Sequence, residues 1–153
     1  MFAIKKFVLP MLLTLSVFVL TACGSAYIDA LNPAIDQFNN ATSSLNAQLD
    51  IVNADNAKFT DPKWVADTET ALAAVRGAGQ AFKNLPEPDS DDYAKLAGLV
   101  EQLADATIKI ADDYGAAIES QDISNLSAAG DGMDTINELL PQVNAEVARI
   151  SGE

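Results

Sequence analysis

From residue 27 onward, apolar and small side chains recur at alternating steps of three and four. The first run is Ile28, Leu31, Ile35, Phe38, Thr42, Leu45, Leu49 and Val52. The second is Val65, Thr68, Leu72, Val75, Gly79 and Phe82, and the third Tyr93, Leu96, Val100, Leu103, Thr107, Ile110 and Tyr114. The fourth is Leu126, Ala129, Met133, Ile136, Leu140, Val143, Val147 and Ile150. A period near 3.5, held over several heptads, belongs to helices that pack side by side at shallow angles. No segment alternates with period two, so the pattern predicts no strands. Turn-rich stretches at 53–61, 85–89 and 121–124 separate the runs.

The boundaries agree with this division. Asp61 precedes Pro62, an N-cap acceptor before a proline at the first helical position. Asp89 or Ser90 is placed to cap the third helix, with Asp91 and Asp92 in its first turn, where the helix dipole favours negative charge. Asp122 or Ser124 is placed to cap the fourth. Pro86 and Pro88 stop the second helix, and Pro141, inside the fourth run, is expected to kink or split its helix near Leu140. Short connections between long helices favour antiparallel neighbours. The expected fold is therefore all-α: an antiparallel up-down-up-down four-helix bundle with helices near 27–57, 62–84, 90–121 and 124–151. Alanines flanking the stripes allow close approach. The alternative is a three-helix body with the first or last helix detached.

The chain opens differently. Lys5 and Lys6 make a short basic start, and an apolar stretch of 16 residues follows over 7–22. That is short of the roughly 20 residues a membrane-spanning helix needs, and it ends in small residues, as a cleaved export signal does. Leu20, Thr21, Ala22 and Cys23 resemble the bacterial lipobox: a branched apolar residue, two small ones, then cysteine. The resemblance implies a diacylglyceryl thioether on Cys23, cleavage between Ala22 and Cys23, and acylation of the new amino terminus. It also implies a protein held outside the cytoplasm by its lipid. With Gly24 rather than aspartate after the cysteine, that means the outer membrane of a two-membrane cell or the outer face of a single membrane. Residues 1–22 are then the signal, 23–26 the lipidated start and short tether, and 27–153 the helical domain. Cys23 is the only cysteine, which excludes disulfides.

Removing the signal leaves 131 residues, about one domain. Lys5 and Lys6 leave with it, so 7 basic side chains face 22 acidic ones, a net of −15. Such a surface repels nucleic acid, and no basic stripe tracks phosphates. It keeps a domain soluble or attracts cations and basic partners. The chain has no histidine, which removes most general-base, zinc and haem chemistry from consideration. Neither Asp89, Asp91 and Asp92 nor Asp131 and Asp134 have the spacing of a calcium loop, so capping and solvation explain them better. Asp112 and Asp113 are expected on an exposed face. There is no Ser-His-Asp or Cys-His set and no phosphate-cradling loop. No catalytic residue, cofactor or metal ligand is expected, and the chain is not read as an enzyme. A site made of paired carboxylates remains the one enzymatic alternative.

Three softer signals remain. Gly77, Gly79, Gly130 and Gly132 sit inside helical patterns, where each costs up to about 1 kcal/mol unless a close crossing, a bend or a ligand surface compensates. Trp64 and Phe59 are expected to seal one bundle end, or else to form an exposed anchor. Asn39, Asn40, Ser43, Ser44, Asn46 and Gln48 give the first helix an uncharged polar face suited to a protein or a cell-wall polymer. Asn40 and Asn125 match glycosylation acceptors formally, which helical placement makes a coincidence. The body is similar in architecture to small bacterial lipoproteins with helical-bundle bodies, with a Leu85-Pro86-Glu87-Pro88 stop before the third helix. That resemblance carries no activity with it. The expected role is a membrane-anchored, non-enzymatic binding or scaffold module of the cell envelope, its partners the membrane through Cys23 and an envelope protein or cell-wall polymer. A small-ligand or cation-binding bundle is the alternative.

Overall fold

A computed structural model describes residues 25–151, with the side chains of Ser127, Asp131 and Ser151 outside the description. Four α-helices account for most of that span: α1 (Ala26–Ala54), α2 (Pro62–Lys83), α3 (Ala94–Glu119) and α4 (Ile123–Ser151). Short 3-10 turns occupy Asn56–Thr60 and Asp91–Tyr93, and no strand occurs among the described residues.

Each helix buries the stripe its sequence marks. All eight α1 positions, from Ile28 to Val52, are buried, and so are Leu96, Val100, Leu103, Thr107, Ile110 and Tyr114 of α3. On α4 the stripe from Leu126 to Val147 is buried, and Ile150 packs half-buried at its end. On α2 the stripe holds from Thr68 to Phe82, but Trp64 takes the first buried place and Val65 is half-buried beside it. Fully burying each large aliphatic or aromatic side chain contributes about 1.5–3 kcal/mol. The stripes of all four helices form one core, so neither the first nor the last helix is detached.

Threonines stand in three of the stripes without leaving a buried polar atom unpaired. Thr42, Thr68 and Thr107 each donate to the carbonyl one turn back, on Phe38 at 2.8 Å, Trp64 at 2.7 Å and Leu103 at 2.6 Å. Contacts between helices fix their neighbours. The indole N–H of Trp64 donates to the carbonyl of Gln48 at 2.8 Å, and the rings of Phe38 and Phe82 lie 5.7 Å apart, both joining α1 to α2. Lys83 reaches Asp105 at 2.7 Å, and Arg76 pairs with Asp112, joining α2 to α3. Lys95 meets Glu146 at 2.8 Å, joining α3 to α4.

Several boundaries differ from the sequence expectation. The first helix ends at Ala54 rather than 57, because the Asp55 side chain accepts from the Ala57 N–H and starts a separate turn. The third begins at Ala94 rather than 90, after the Asp91–Tyr93 turn that Ser90 caps. Asp61 caps α2 as expected, accepting from the N–H groups of Lys63 and Trp64. Asp122 accepts from the Ser124 N–H at 2.9 Å, and Gln121 turns the chain in the left-handed region at φ 53. Pro141 does not split α4, which is one helix from Ile123 to Ser151. Pro33 likewise lies inside α1. Both proline positions are exposed, while Leu140 and Val143 beside Pro141 are fully buried. Core packing on the opposite face therefore holds each helix through the missing hydrogen bond.

Candidate functional site

Leu20, Thr21, Ala22 and Cys23, the residues of the lipobox resemblance, lie outside the described residues, as does Gly24. The described chain starts two residues after Cys23, and that start is firmly held. Ser25 is 6 % exposed and caps α1, its hydroxyl accepting from the Ile28 N–H at 3.4 Å. The same hydroxyl donates to a carboxylate oxygen of Asp89 at 2.9 Å, and the Ala26 N–H meets the other oxygen at 3.3 Å. Asp89 thus does not cap its own helix. It reaches back 64 residues to the positive end of α1, where a carboxylate is favoured.

The connection that carries Asp89 also closes a small cleft beside this end. Leu85, Pro86 and Pro88 face Tyr27, Phe82 and Val100 around about 190 Å³, with Lys83 and Glu101 among the lining. Tyr27 stacks on Tyr93 with ring centroids 6.3 Å apart. Its hydroxyl is buried without a hydrogen-bond partner among the described residues, and burial pushes its pKa up to about 12. Tyr114, deep in α3, shares both properties.

The uncharged polar run on α1 divides when placed on the helix. Asn40, Ser43 and Ser44 are exposed, whereas Asn39, Asn46 and Gln48 are half-buried along its flanks. Gln37, Asn40, Ala41 and Ser44 line a shallow groove of about 460 Å³ against Ala74 of α2. Ile51, 43 % exposed, lies two turns further along the same side and is the exposed large hydrophobic among the described residues.

Trp64 and Phe59 are 3 % and 5 % exposed, with rings 5.7 Å apart. They seal a bundle end, and the exposed-anchor alternative is excluded. Asp112 and Asp113 lie on adjacent helix faces, and each has a base: Asp112 has Arg76 and Asp113 has Lys109. Asp134 is exposed, and the side chain of Asp131 lies outside the described residues. No group of three or more acidic or cysteine side chains is arranged to hold a metal among the described residues. No described helix is long and apolar enough to cross a membrane.

The glycines separate by what surrounds them. A Cβ on Gly79 would lie 2.6 Å from Ile108 Cγ1 and 3.1 Å from the carbonyl oxygen of Ala104, so α2 and α3 cross there at near-backbone contact. A Cβ on Gly132 would meet Ile110 Cγ1 at 3.0 Å, marking a second close approach, of α4 to α3. At Gly77 and Gly130 the nearest atoms are 3.5 Å away, an ordinary spacing.

Glu146 is the most buried charge among the described residues, at 2 % exposure. Its carboxylate accepts from Lys95 and, at 2.7 Å, from Arg149, and these hydrogen bonds, Lys95 first, hold its pKa below the ordinary value. Arg149 also donates to the Asp92 carbonyl at 2.8 Å, tying the end of α4 to the turn before α3. Sequence reasoning missed this group, the reach of Asp89 to Ser25, and the buried phenols of Tyr27 and Tyr114. No local signal could have found the first two, because the partners are more than 50 residues apart. The tyrosines do occupy stripe or near-stripe positions, a hint that their hydroxyls would be buried.

Compared with known proteins, the chain matches no family model, no curated sequence and no solved structure.

Proposed function

We propose that this protein is a lipid-anchored, non-enzymatic binding or scaffold module of the cell envelope. In this reading residues 1–22 are a cleaved signal and Cys23 carries the lipid. The body is an up-down-up-down antiparallel four-helix bundle standing end-on against its membrane. What carries the reading is the start of α1: Ser25, two residues from Cys23, is buried and clamped by Asp89. Two residues span at most about 7 Å, so a lipid on Cys23 would hold this end of the bundle flush with the bilayer. Two or three acyl chains at about 0.8 kcal/mol per buried methylene make a lasting anchor. The paired ends of Lys83 with Asp105, Lys95 with Glu146 and Trp64 with Gln48 favour antiparallel neighbours. The partner surface is the side of α1 beside α2, where Gln37, Asn40, Ser44 and Ile51 stand exposed.

The test is in-cell crosslinking of a C-terminally tagged protein, followed by identification of what co-purifies. Cys23→Ala and Asn40→Lys variants run in parallel. A specific partner, lost from Cys23→Ala and weakened in Asn40→Lys, is the expected result. A Cys23→Ala protein that still fractionates with membranes at full yield would overturn the anchor. Recovery of no partner in any sample would remove the binding module.

A further inference from the structure

The cleft beside the start of α1 and the entry of the chain into the bundle are one construction. Ser25 begins the described residues, and its hydroxyl donates to Asp89 at 2.9 Å while the Ala26 N–H meets the other carboxylate oxygen at 3.3 Å. Asp89 directly follows Pro88, and Leu85, Pro86 and Pro88 wall the cleft. The bonds that fix the incoming chain therefore also fix that wall. Cys23 lies two residues before Ser25, a span of at most about 7 Å, so a group on its sulfur starts close to the cleft.

Phe82, Val100, Ala97 and Tyr27 complete the apolar part of the lining. Phe82 and Val100 are 3 % and 2 % exposed, so the cleft reaches down to the core. Of the charged residues along it, Lys83 meets Glu101 at 3.7 Å and Asp105 at 2.7 Å, and Glu87 is exposed. The space is about 190 Å³, room for about six methylenes at roughly 30 Å³ for a water-sized group. Pockets for drug-sized ligands run to about 300–1,000 Å³. This one is smaller, and it is enough for a short stretch of a single acyl chain.

One polar atom interrupts the apolar lining. Tyr27 is 2 % exposed, and its hydroxyl is buried without a hydrogen-bond partner among the described residues. Stacking on Tyr93 holds the ring in place. An unpaired phenol in an apolar cleft suits a ligand with a hydrogen-bond acceptor at the head of an alkyl chain. An ester-linked acyl chain has that form.

We propose that this cleft seats the first methylenes of an ester-linked acyl chain carried by Cys23, with the Tyr27 hydroxyl donating to the ester carbonyl. This rests on the reading of Cys23 as the lipid-bearing residue. A bilayer takes up the same methylenes, so apolar burial alone does not choose the cleft. Attachment to the same polypeptide does, because a short tether gives the seat a high effective concentration. The lipid is then a packed part of the fold as well as its anchor, and it fixes how the bundle is turned on its membrane.

The experiment purifies the lipoprotein in detergent as the cells make it and records its intact mass. Thermal unfolding is then compared before and after a lipase removes the ester-linked chains. Tyr27→Phe and Ala97→Leu, which fills the cleft from α3, run alongside. Wild type is expected to melt about 3–6 °C lower after the lipase, the size of one buried hydrogen bond lost from a domain of this length. In Tyr27→Phe the loss should fall to less than half, and in Ala97→Leu it should vanish. A second preparation, from cells fed a fatty acid with a diazirine near its carboxyl, is irradiated after purification. The expected product links the lipid-bearing N-terminal peptide to a peptide within 84–109. An intact mass without a diacylglyceryl group overturns the lipoprotein reading, and the seat with it. With the lipid present, three results each overturn the seat and leave the anchor standing: equal melting before and after the lipase, an undiminished loss in Tyr27→Phe, or links confined to other peptides.

Discussion

Replacing Gly79 by alanine tests the closest crossing in the fold. Helix propensity alone favours the change, since alanine is better than glycine in a helix interior by about 1 kcal/mol. The new methyl would stand 2.6 Å from Ile108 Cγ1, which can turn aside, but also 3.1 Å from the Ala104 carbonyl and 3.3 Å from the Ile108 nitrogen. Those last two are backbone, so relief requires α2 and α3 to separate. Overpacking of this kind costs about 1–3 kcal/mol, and separating the helices also loosens the packing of Val75 and Phe82 on either side. The net expectation for Gly79→Ala is a loss of about 1–2 kcal/mol after the propensity gain. Gly98→Ala is the control, because a Cβ there meets nothing within 4 Å. It should gain about 0.5–1 kcal/mol. For a domain of this size 1 kcal/mol corresponds to about 3–6 °C in Tm. Thermal and urea unfolding followed by circular dichroism at 222 nm read both variants. If Gly79→Ala stabilises the protein as Gly98→Ala does, the near-backbone contact of α2 with α3 is wrong.

Gln121, at φ 53 between α3 and α4, occupies a conformation that suits glycine. Gln121→Gly should raise stability by about 0.5–1 kcal/mol, and a lower urea midpoint would contradict the left-handed turn. At the alkaline limit, burial raises Tyr27 and Tyr114 from 10.0 to about 12. Their ionisation is therefore favoured in the unfolded chain first, and stability should be intact below pH 10 and fall as pH rises toward 12. The Tyr27→Phe, Tyr114→Phe double variant should unfold at higher pH than wild type, as read by circular dichroism across the titration. At the acid limit, Glu146 is held below its ordinary 4.5, chiefly by Lys95 and then Arg149. Its contribution is complete above that value and is lost as pH falls through the folded pKa, so Glu146→Gln should flatten the acid decline of the urea midpoint.

The buried faces were legible because a heptad stripe is a property of one helix. Every stripe position of α1 is buried, and the threonines fit because their hydroxyls return to carbonyls of the same helix. Relations between helices were not legible. Local rules make Asp89 a cap for the residues that follow it, whereas its carboxylate finds the open N–H of α1 instead. Gly79 and Gly98 look alike as helix-interior glycines, and only the approach of α3 distinguishes them. Pro141 satisfies the rule for a helix stop, but burial of Leu140 and Val143 on the other face outweighs one missing backbone hydrogen bond.

The polar run on α1 shows why proximity in sequence misleads. Asn39, Asn40, Ser43, Ser44, Asn46 and Gln48 look like one uncharged face when read along the chain. At 100° per residue they fall into different columns. Asn40 and Ser44 point to solvent beside α2, Asn39 and Asn46 lie on the opposite edge, and Gln48 returns to the α2 side, where its carbonyl takes the Trp64 indole N–H. The informative grouping is by sevens, Asn32 with Asn39 and Asn46, and Asn137 with Asn144. A half-buried asparagine costs stability unless something pairs with it. Asn32, Asn46, Asn137 and Asn144 keep their side-chain oxygens buried without a hydrogen-bond partner among the described residues, a cost that solubility, which needs polarity only at the surface, does not require.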